Sequence, residues 1–226
     1  MNPFAASFQA VQQQIADAEA RYDRTAGSVQ LVAVSKTQPA TGVRAIHELG
    51  QNHFGENYLQ EALAKIDALQ GLPLVWHFVG HIQSNKTALV AGCFDWVHTI
   101  DRDKIARRLN DQRPGKLVPL NVCVQVNVSG EYSKSGVAPE ALEHLLAIVA
   151  GLPRLRLRGL MTLPAPESDF EQQRQPFRAL AAMLRRYRER FNLDTLSMGT
   201  TGDVEAAIAE GATMVRIGSA LFGPRQ

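Results

Sequence analysis

Short apolar runs rich in Val, Ile and Leu alternate with longer runs of helical periodicity along this chain. The apolar runs predict eight strands, over residues 30–35, 53–55, 74–80, 96–100, 120–128, 156–163, 195–198 and 214–217. The segments between them predict helices, over residues 41–50, 57–70, 85–92, 102–111, 139–150 and 203–210, with a long helix that ends near Phe191. An amphipathic stretch over residues 3–24 predicts one further helix before the first strand.

The order of these elements predicts the fold class. Strands that are each followed by a helix favour a parallel sheet covered by helices on both faces. Eight such units in 226 residues favour an α/β fold, a closed (β/α)8 barrel of the TIM type with an extra N-terminal helix. An open, doubly wound sheet is the alternative, and the lack of a Gly-x-Gly-x-x-Gly turn after the first strand weakens it. No segment has the composition of a linker, so residues 1–226 are predicted to form a single domain.

Composition and charge narrow the class of protein. Hydrophobic residues make up 45% and charged residues 20% of the chain, which is an ordinary globular balance. A formal net charge of +2 is too small to suggest nucleic-acid binding. The N-terminus lacks a secretion signal and no apolar run reaches the roughly 20 residues of a membrane helix, so we expect a cytoplasmic protein without membrane contact. Cys93 and Cys123 lie in apolar surroundings and are predicted to be buried thiols.

Two common kinds of catalytic site find no support in the sequence. The six histidines and two cysteines show no metal-ligand spacing. The chain also lacks the Gly-x-Ser-x-Gly elbow of serine hydrolases. In a barrel of this kind, reactive residues are expected where strands end and the following loops begin.

A lysine stands at the end of the first predicted strand. Lys36 shares the inward parity of Val32 and Val34. At the mouth of a barrel its amine would lose hydration, which favours the neutral, nucleophilic form that attacks an aldehyde. The alternative is a lysine whose charged end simply extends into solvent.

Glycines and hydroxyl residues follow the seventh and eighth strands. Glycine lets the backbone approach a ligand closely, and hydroxyls with free backbone N–H groups bind anions. The loops after these two strands are the usual phosphate site of such barrels. The predicted cradle contains Ser197, Gly199, Thr200, Thr201, Gly218 and Ser219. The competing interpretation is that Thr201 and Asp203 only cap the helix that follows.

Three more side chains are candidates for the site. Arg216 faces the same side of its strand as Gly218 and needs an acceptor, either a heteroaromatic ring nitrogen or a buried acidic neighbour. His77 lies on the third strand, beside a bound ring or as a satisfied core residue. Asn57 follows the second strand and either contacts a ring oxygen or caps the next helix.

Six ordered sequence blocks then carry a family resemblance over essentially the whole chain. They are LVAVSKT at 31–37, FGENY at 54–58, WHFVGHIQSNK at 76–86, SKSG at 133–136, LRGLM at 157–161 and MVRIG at 214–218. With these blocks the chain resembles the pyridoxal phosphate homeostasis proteins, single-domain relatives of the N-terminal barrel of alanine racemase. The resemblance implies a protein that binds pyridoxal 5′-phosphate and buffers or delivers it without robust catalysis.

The same resemblance implies roles for individual residues. Lys36 would form the Schiff base, Arg216 would face the pyridine nitrogen, and Gly218, Ser219 and the 200–201 turn would hold the phosphate. An arginine opposite the ring nitrogen discourages its protonation and makes the ring a poorer electron sink, in agreement with a carrier. Two enzyme alternatives remain, a weak racemase or decarboxylase that uses Lys36 as its base, and a barrel enzyme that acts on a sugar phosphate.

Partners and one departure complete the expectations. Racemases of this fold take a second base from a further domain and a partner subunit. We expect neither the further domain nor the partner subunit here, so the protein is predicted to be a monomer. Transient contact with apo-enzymes that need the cofactor is a further expectation. Where the family usually reads Met-Ser-x-Asp after Gly199, this chain has Gly202 between Thr201 and Asp203. Phosphate binding is expected to survive this change, with a less rigid loop.

Overall fold

The fold is a closed barrel of eight parallel strands, seen in a computed structural model that describes residues 2–130 and 135–223. Each strand pairs with the next along the chain, and the last pairs with the first. The strands are β1 (Gln30–Val34), β2 (His53–Glu56), β3 (Val75–Phe78), β4 (Trp96–Ile100), β5 (Leu120–Gln125), β6 (Leu155–Met161), β7 (Thr195–Ser197) and β8 (Met214–Ile217). The predicted TIM-type barrel is confirmed.

Helices cover the outside of the barrel and alternate with the strands. They are α1 (Ala5–Arg21), α2 (Ala40–His47), α3 (Leu59–Ala68), α4 (Thr87–Cys93), α5 (Asp103–Gln112), α6 (Leu142–Ala150), α7 (Phe170–Phe191), α8 (Val204–Ala209) and α9 (Ser219–Phe222). Short 3-10 turns precede α4 and α6. The predicted N-terminal helix is present as α1, and its buried face contributes Phe8, Val11 and Ile15 to the core.

Strand alternation divides the apolar side chains into two groups. Outward residues such as Leu31, Ala33 and Phe54 join the large core between strands and helices. Inward residues form a small separate cluster inside the barrel, made of Val32, Trp96, Cys123, Met161 and Met214. The period of two along each strand produces this division, because successive side chains point to opposite faces.

Several boundaries differ from the predicted ones for local reasons. β3 stops at Phe78 because the chain turns at Gly80, where a Cβ would lie 2.1 Å from the carbonyl oxygen of Asn57. β5 stops at Gln125, and Val126 forms an isolated bridge to Val137. The short helix α9 was not predicted. Residues 133 and 134 of the fourth sequence block lie outside the described residues.

Cys123 is buried inside the barrel and Cys93 is partly buried, and both are free. Burial raises the pKa of Cys123 to about 12. Across residues 2–130 and 135–223, no helix combines the length and hydropathy that a bilayer crossing requires. In the same residues, no group of three or more His, Cys, Asp or Glu is placed to hold a metal ion.

Candidate functional site

A cavity of about 410 Å³ opens where the strands end on the C-terminal side of the barrel. This volume lies in the range of small-molecule sites. It brings together seven of the ten residues predicted from the sequence, namely Lys36, Asn57, Thr200, Thr201, Arg216, Gly218 and Ser219. The lysine that follows β1, the arginine of β8 and the hydroxyl loops therefore face one space.

Lys36 occupies a tight turn after β1. It is partly buried and lines the cavity next to Val34. The following residue, Thr37, has a φ of 64°, a left-handed conformation that β-branched residues rarely adopt. Its backbone N–H donates to Glu61 Oε2 at 2.8 Å, which holds the turn in place.

A buried ion pair lies beneath this turn. Lys65 Nζ donates to Glu56 Oε1 and to the carbonyl oxygen of Ser35, both at 2.6 Å. The Ser35 hydroxyl donates to the same Glu56 oxygen at 2.6 Å. Burial raises the pKa of Glu56, against the opposing effect of its hydrogen bonds from Lys65 and Ser35. The pair ties the ends of β1 and β2 together directly behind the lysine.

Arg216 reaches the floor of the cavity with only 5% of its surface exposed. Its Nη1 donates to Ser197 Oγ at 2.8 Å and its Nη2 to the carbonyl oxygen of Thr162 at 2.9 Å. Burial lowers the pKa of Arg216 to about 10. The alternative of a buried acidic partner is wrong within the described residues, because the oxygens that accept from the guanidinium there are neutral.

The structure places His77 beneath the cavity, fully buried in the barrel interior. It belongs to a row of hydrogen-bonded side chains that starts at Ser197, whose Oγ lies 2.7 Å from His98 Nδ1. His98 Nε2 lies 2.9 Å from His77 Nδ1, and His77 Nε2 lies 2.9 Å from His53 Nδ1. Burial is the main cause that lowers the pKa of His98 to about 3 and holds the pKa of His77 well below its ordinary value. Ser197 and His77 thus support the site from behind through Arg216.

The loop after β7 folds on itself to form one wall of the cavity. Thr200 donates to Asp203 Oδ1 through its backbone N–H at 2.5 Å and through its hydroxyl at 2.9 Å. Ser219 Oγ donates to Thr201 Oγ1 at 3.2 Å, which joins this wall to the start of α9. The predicted cap by Asp203 is wrong, because the side chain of this N-cap residue turns back to Thr200 and makes no capping bond to α8.

The two predicted glycines serve different ends. Gly199 has a φ of +93°, and a Cβ there would lie 2.6 Å from the Cβ of Ala207. Its lack of a side chain is therefore required by the packing of α8 on the barrel. Gly218 lines the cavity itself, and a Cβ there would lie 3.1 Å from the carbonyl oxygen of Val34. Gly218 thus lets β8 end close to the turn that carries Lys36.

Asn57 also lines the cavity. Its Oδ1 is buried and accepts no hydrogen bond from any residue of 2–130 or 135–223. The alternative role as a helix cap is wrong, because α3 starts after Tyr58 and has no side-chain cap. A buried acceptor without a donor is rare and points to a missing partner such as a ligand.

Sequence reasoning missed several residues that build the site. The ion pair of Glu56 and Lys65, the histidine His98 and the carbonyl oxygen of Thr162 were not predicted. Parity gave a usable signal for His98, since it stands two residues after the inward Trp96 on β4. Lys65 lies on α3 and gave no such signal, because an apolar helix face with one lysine is common.

The chain is a closed parallel barrel with a lysine after β1 and an arginine on β8. This is the class of the alanine racemase N-terminal domain, and the family described by that name matches residues 7–226. A pyridoxal phosphate homeostasis protein of Pseudomonas aeruginosa is 54% identical over 225 residues, covering 100% of this chain and 97% of the relative. Its Escherichia coli K12 counterpart is 51% identical over 229 residues, covering 100% and 98%. The chain belongs to the pyridoxal phosphate homeostasis protein family.

A solved structure agrees with these relatives. The structure of PipY from Synechococcus elongatus was determined with pyridoxal 5′-phosphate (PLP) bound. PipY is 35% identical to this chain and superposes on it with a TM-score of 0.81. The match covers 93% of this chain and 100% of PipY. The barrel is therefore shared with a protein whose structure contains that cofactor.

Gly202, which follows the 200–201 hydroxyl turn, gives a stability prediction. A Cβ at this position would meet nothing within 4 Å, and its φ lies outside the left-handed region. Gly202→Ala is therefore expected to raise the free energy of unfolding by about 0.4–1 kcal/mol, by reducing the freedom of the unfolded chain. Urea unfolding measures this, with Gly199→Ala as the destabilised comparison. A lower midpoint for Gly202→Ala than for the parent would contradict the expectation.

Proposed function

We propose that the protein binds pyridoxal 5′-phosphate reversibly at this cavity and holds it on Lys36 without robust catalysis. The observation that carries the proposal is the joint placement of Lys36, Arg216 and the 200–201 hydroxyl turn around one space of about 410 Å³. An amine, a cation and an anion cradle are the three features that an aldehyde-bearing pyridine phosphate requires. The family membership of the chain supports the same ligand.

Each wall of the cavity has a part in the proposed binding. When bound, the cofactor supplies an aldehyde and a phosphate. Lys36 would hold the cofactor through its aldehyde, which would supply a carbon that the lysine amine can bond reversibly. The hydroxyls of Thr201 and Ser219 and the N–H groups near Gly218 would hold the phosphate. Asn57 Oδ1 is positioned to accept from a donor on the ligand.

The environment of Arg216 supports a carrier more than a catalyst. Its guanidinium remains a donor, since its pKa stays at about 10 even when buried. A donor that faces the pyridine nitrogen competes with protonation of that nitrogen, so the ring withdraws fewer electrons from an attached substrate. Lys36 then acts as a tether for the cofactor.

The setting of this carrier is also part of the proposal. We infer that it works in the cytoplasm as a monomer and passes the cofactor to apo-enzymes through transient contacts. The free thiols of Cys93 and Cys123 support a reducing compartment. The partly buried position of Lys36 supports release, because water can reach the bond that must be hydrolysed.

One experiment tests the binding proposal directly. The purified protein is expected to be yellow, and borohydride is expected to fix the cofactor on the peptide that contains Lys36. Lys36→Ala should lose both the colour and the fixed adduct, whereas Lys104→Ala, a change on the exposed face of α5, should keep them. An adduct on another lysine, or none after addition of the cofactor, would overturn the proposal. Rapid exchange of an amino-acid α-hydrogen would favour the enzyme alternative.

A further inference from the structure

The interior of the barrel contains a continuous row of hydrogen bonds that the binding role alone does not require. It runs from Arg216 through Ser197, His98 and His77 to His53, over four contacts of 2.7–2.9 Å. Ser197, His77 and His98 are fully buried, whereas His53 at the start of β2 keeps partial exposure. The row therefore joins a group that can exchange protons with solvent to a group at the cavity floor.

Donor and acceptor rules allow two directions along this row. Arg216 can only donate, so Ser197 Oγ accepts from it. If the Ser197 hydroxyl donates to His98 Nδ1, His98 donates from Nε2 to His77, and His77 donates from Nε2 to His53 Nδ1. Every contact then has one donor and one acceptor with all three imidazoles neutral. We call this arrangement the outward polarity.

A charge on His53 is incompatible with the outward polarity. A protonated His53 carries hydrogen on both nitrogens, so its Nδ1 must donate to His77 Nε2. His77 then donates from Nδ1 to His98, and His98 donates from Nδ1 to Ser197. Ser197 Oγ now accepts from both His98 and Arg216, and its own hydroxyl must turn to another acceptor. We call this arrangement the inward polarity.

We propose that His53, His77 and His98 form a relay that transmits the charge of His53 to Ser197 and Arg216 by reversing this polarity. The three histidines are positioning residues, which act on the cavity through the bonds of Arg216. The relay itself depends only on the row of side chains, whereas its effect on the cofactor rests on the proposed function.

The surroundings keep the buried members neutral while the end titrates. The pKa of His53 is lowered by burial and raised by Asp95, which is the acidic group that acts on it. The His77 ring stacks on the Trp96 ring, with the ring centroids 5.6 Å apart and an interplanar angle of 13°. The guanidinium of Arg158 lies over the Trp96 ring, 4.9 Å from its centroid, and is paired with Asp194. The charge of Arg216 opposes protonation of His98. Asp203 and Cys123 act in turn on Arg216. A positive charge is thus confined to His53.

The first arm of the test uses the protein without cofactor. Nitrogen NMR of the histidine rings is expected to show His77 and His98 protonated at Nε2 near neutral pH. On mild acidification both should switch to Nδ1, with the same midpoint as the protonation of His53. Wild-type protein suffices for this arm, so it does not depend on the folding of a variant. Tautomers that stay fixed while His53 titrates would overturn the relay.

The second arm uses the protein loaded with pyridoxal 5′-phosphate. The visible band is expected to change with pH at the midpoint of His53, and this change should be lost in His53→Gln, whose amide accepts from His77 but does not titrate. His144→Gln, a change at the exposed face of α6, should keep it. If the tautomers switch but the band is unmoved, the relay does not reach the cofactor and that half of the proposal fails. If no cofactor binds, the proposed function fails while the NMR arm still decides the relay.

Discussion

Acidification from pH 6.5 towards 3 is expected to remove a large part of the stability of this protein. Burial first, and the charge of Arg216 second, lower the pKa of His98 from 6.5 to about 3. In the unfolded chain His98 binds a proton near its ordinary pKa of 6.5, whereas in the folded protein it stays neutral until the pH approaches about 3. The stabilisation is therefore complete above pH 6.5 and declines as the pH falls towards the folded pKa. For His98 alone the loss is on the order of 5 kcal/mol, at about 1.4 kcal/mol per pKa unit.

This loss is comparable to the whole stability of a typical domain, which is about 5–15 kcal/mol. His77 adds to it, because its pKa is also well below the ordinary value. Urea unfolding midpoints at several pH values between about 7 and 4 measure the effect. His98→Gln should show a shallower dependence, and His144→Gln should follow the parent. A midpoint that is unchanged across this range would contradict the assignment of neutral buried histidines.

The fold could be predicted because its signals are local and repeated. Each apolar run of three to nine residues and each helical period stands in the sequence independently, and eight repeats leave few topologies. The errors fall where a contact distant in the chain sets the boundary. β3 ends at Phe78 because Gly80 packs on the backbone of Asn57, which no pattern within residues 74–80 reveals.

The cavity residues could be predicted to the extent that strand parity and strand ends define them. Lys36 and Arg216 met this condition, and they face the same space. The support behind them could not be predicted, because it depends on which inward residues of different strands come level with one another. His98 contacts Ser197, 99 positions away along the chain, and only the register of the closed barrel brings them together.

The second large effect is expected at the ion pair behind Lys36. The side chains of Glu56 and Lys65 are 0% and 7% exposed, and their charged atoms are 2.6 Å apart. Among the described residues, Glu56→Met leaves the buried Lys65 ammonium with the carbonyl oxygen of Ser35 and the more distant carboxylate of Glu61, at 4.0 Å. Breaking a buried pair in this way costs about 3–5 kcal/mol, because one charge loses its compensation. Lys65→Met should cost a similar amount.

The double variant Glu56→Met, Lys65→Met separates this explanation from a general loss of packing. Replacing both charges with apolar side chains of similar volume is often neutral or stabilising, so the double variant should be more stable than either single one. Urea unfolding of the four proteins gives the coupling energy of the pair. Additive losses would mean that the charges do not compensate each other. Because the pair lies directly behind the turn that carries Lys36, borohydride trapping in the double variant gives a second readout. Recovery of trapping would show that the turn needs only an intact fold there. Loss of trapping with restored stability would show that the turn needs the hydrogen bonds that Ser35 makes with Glu56 and Lys65.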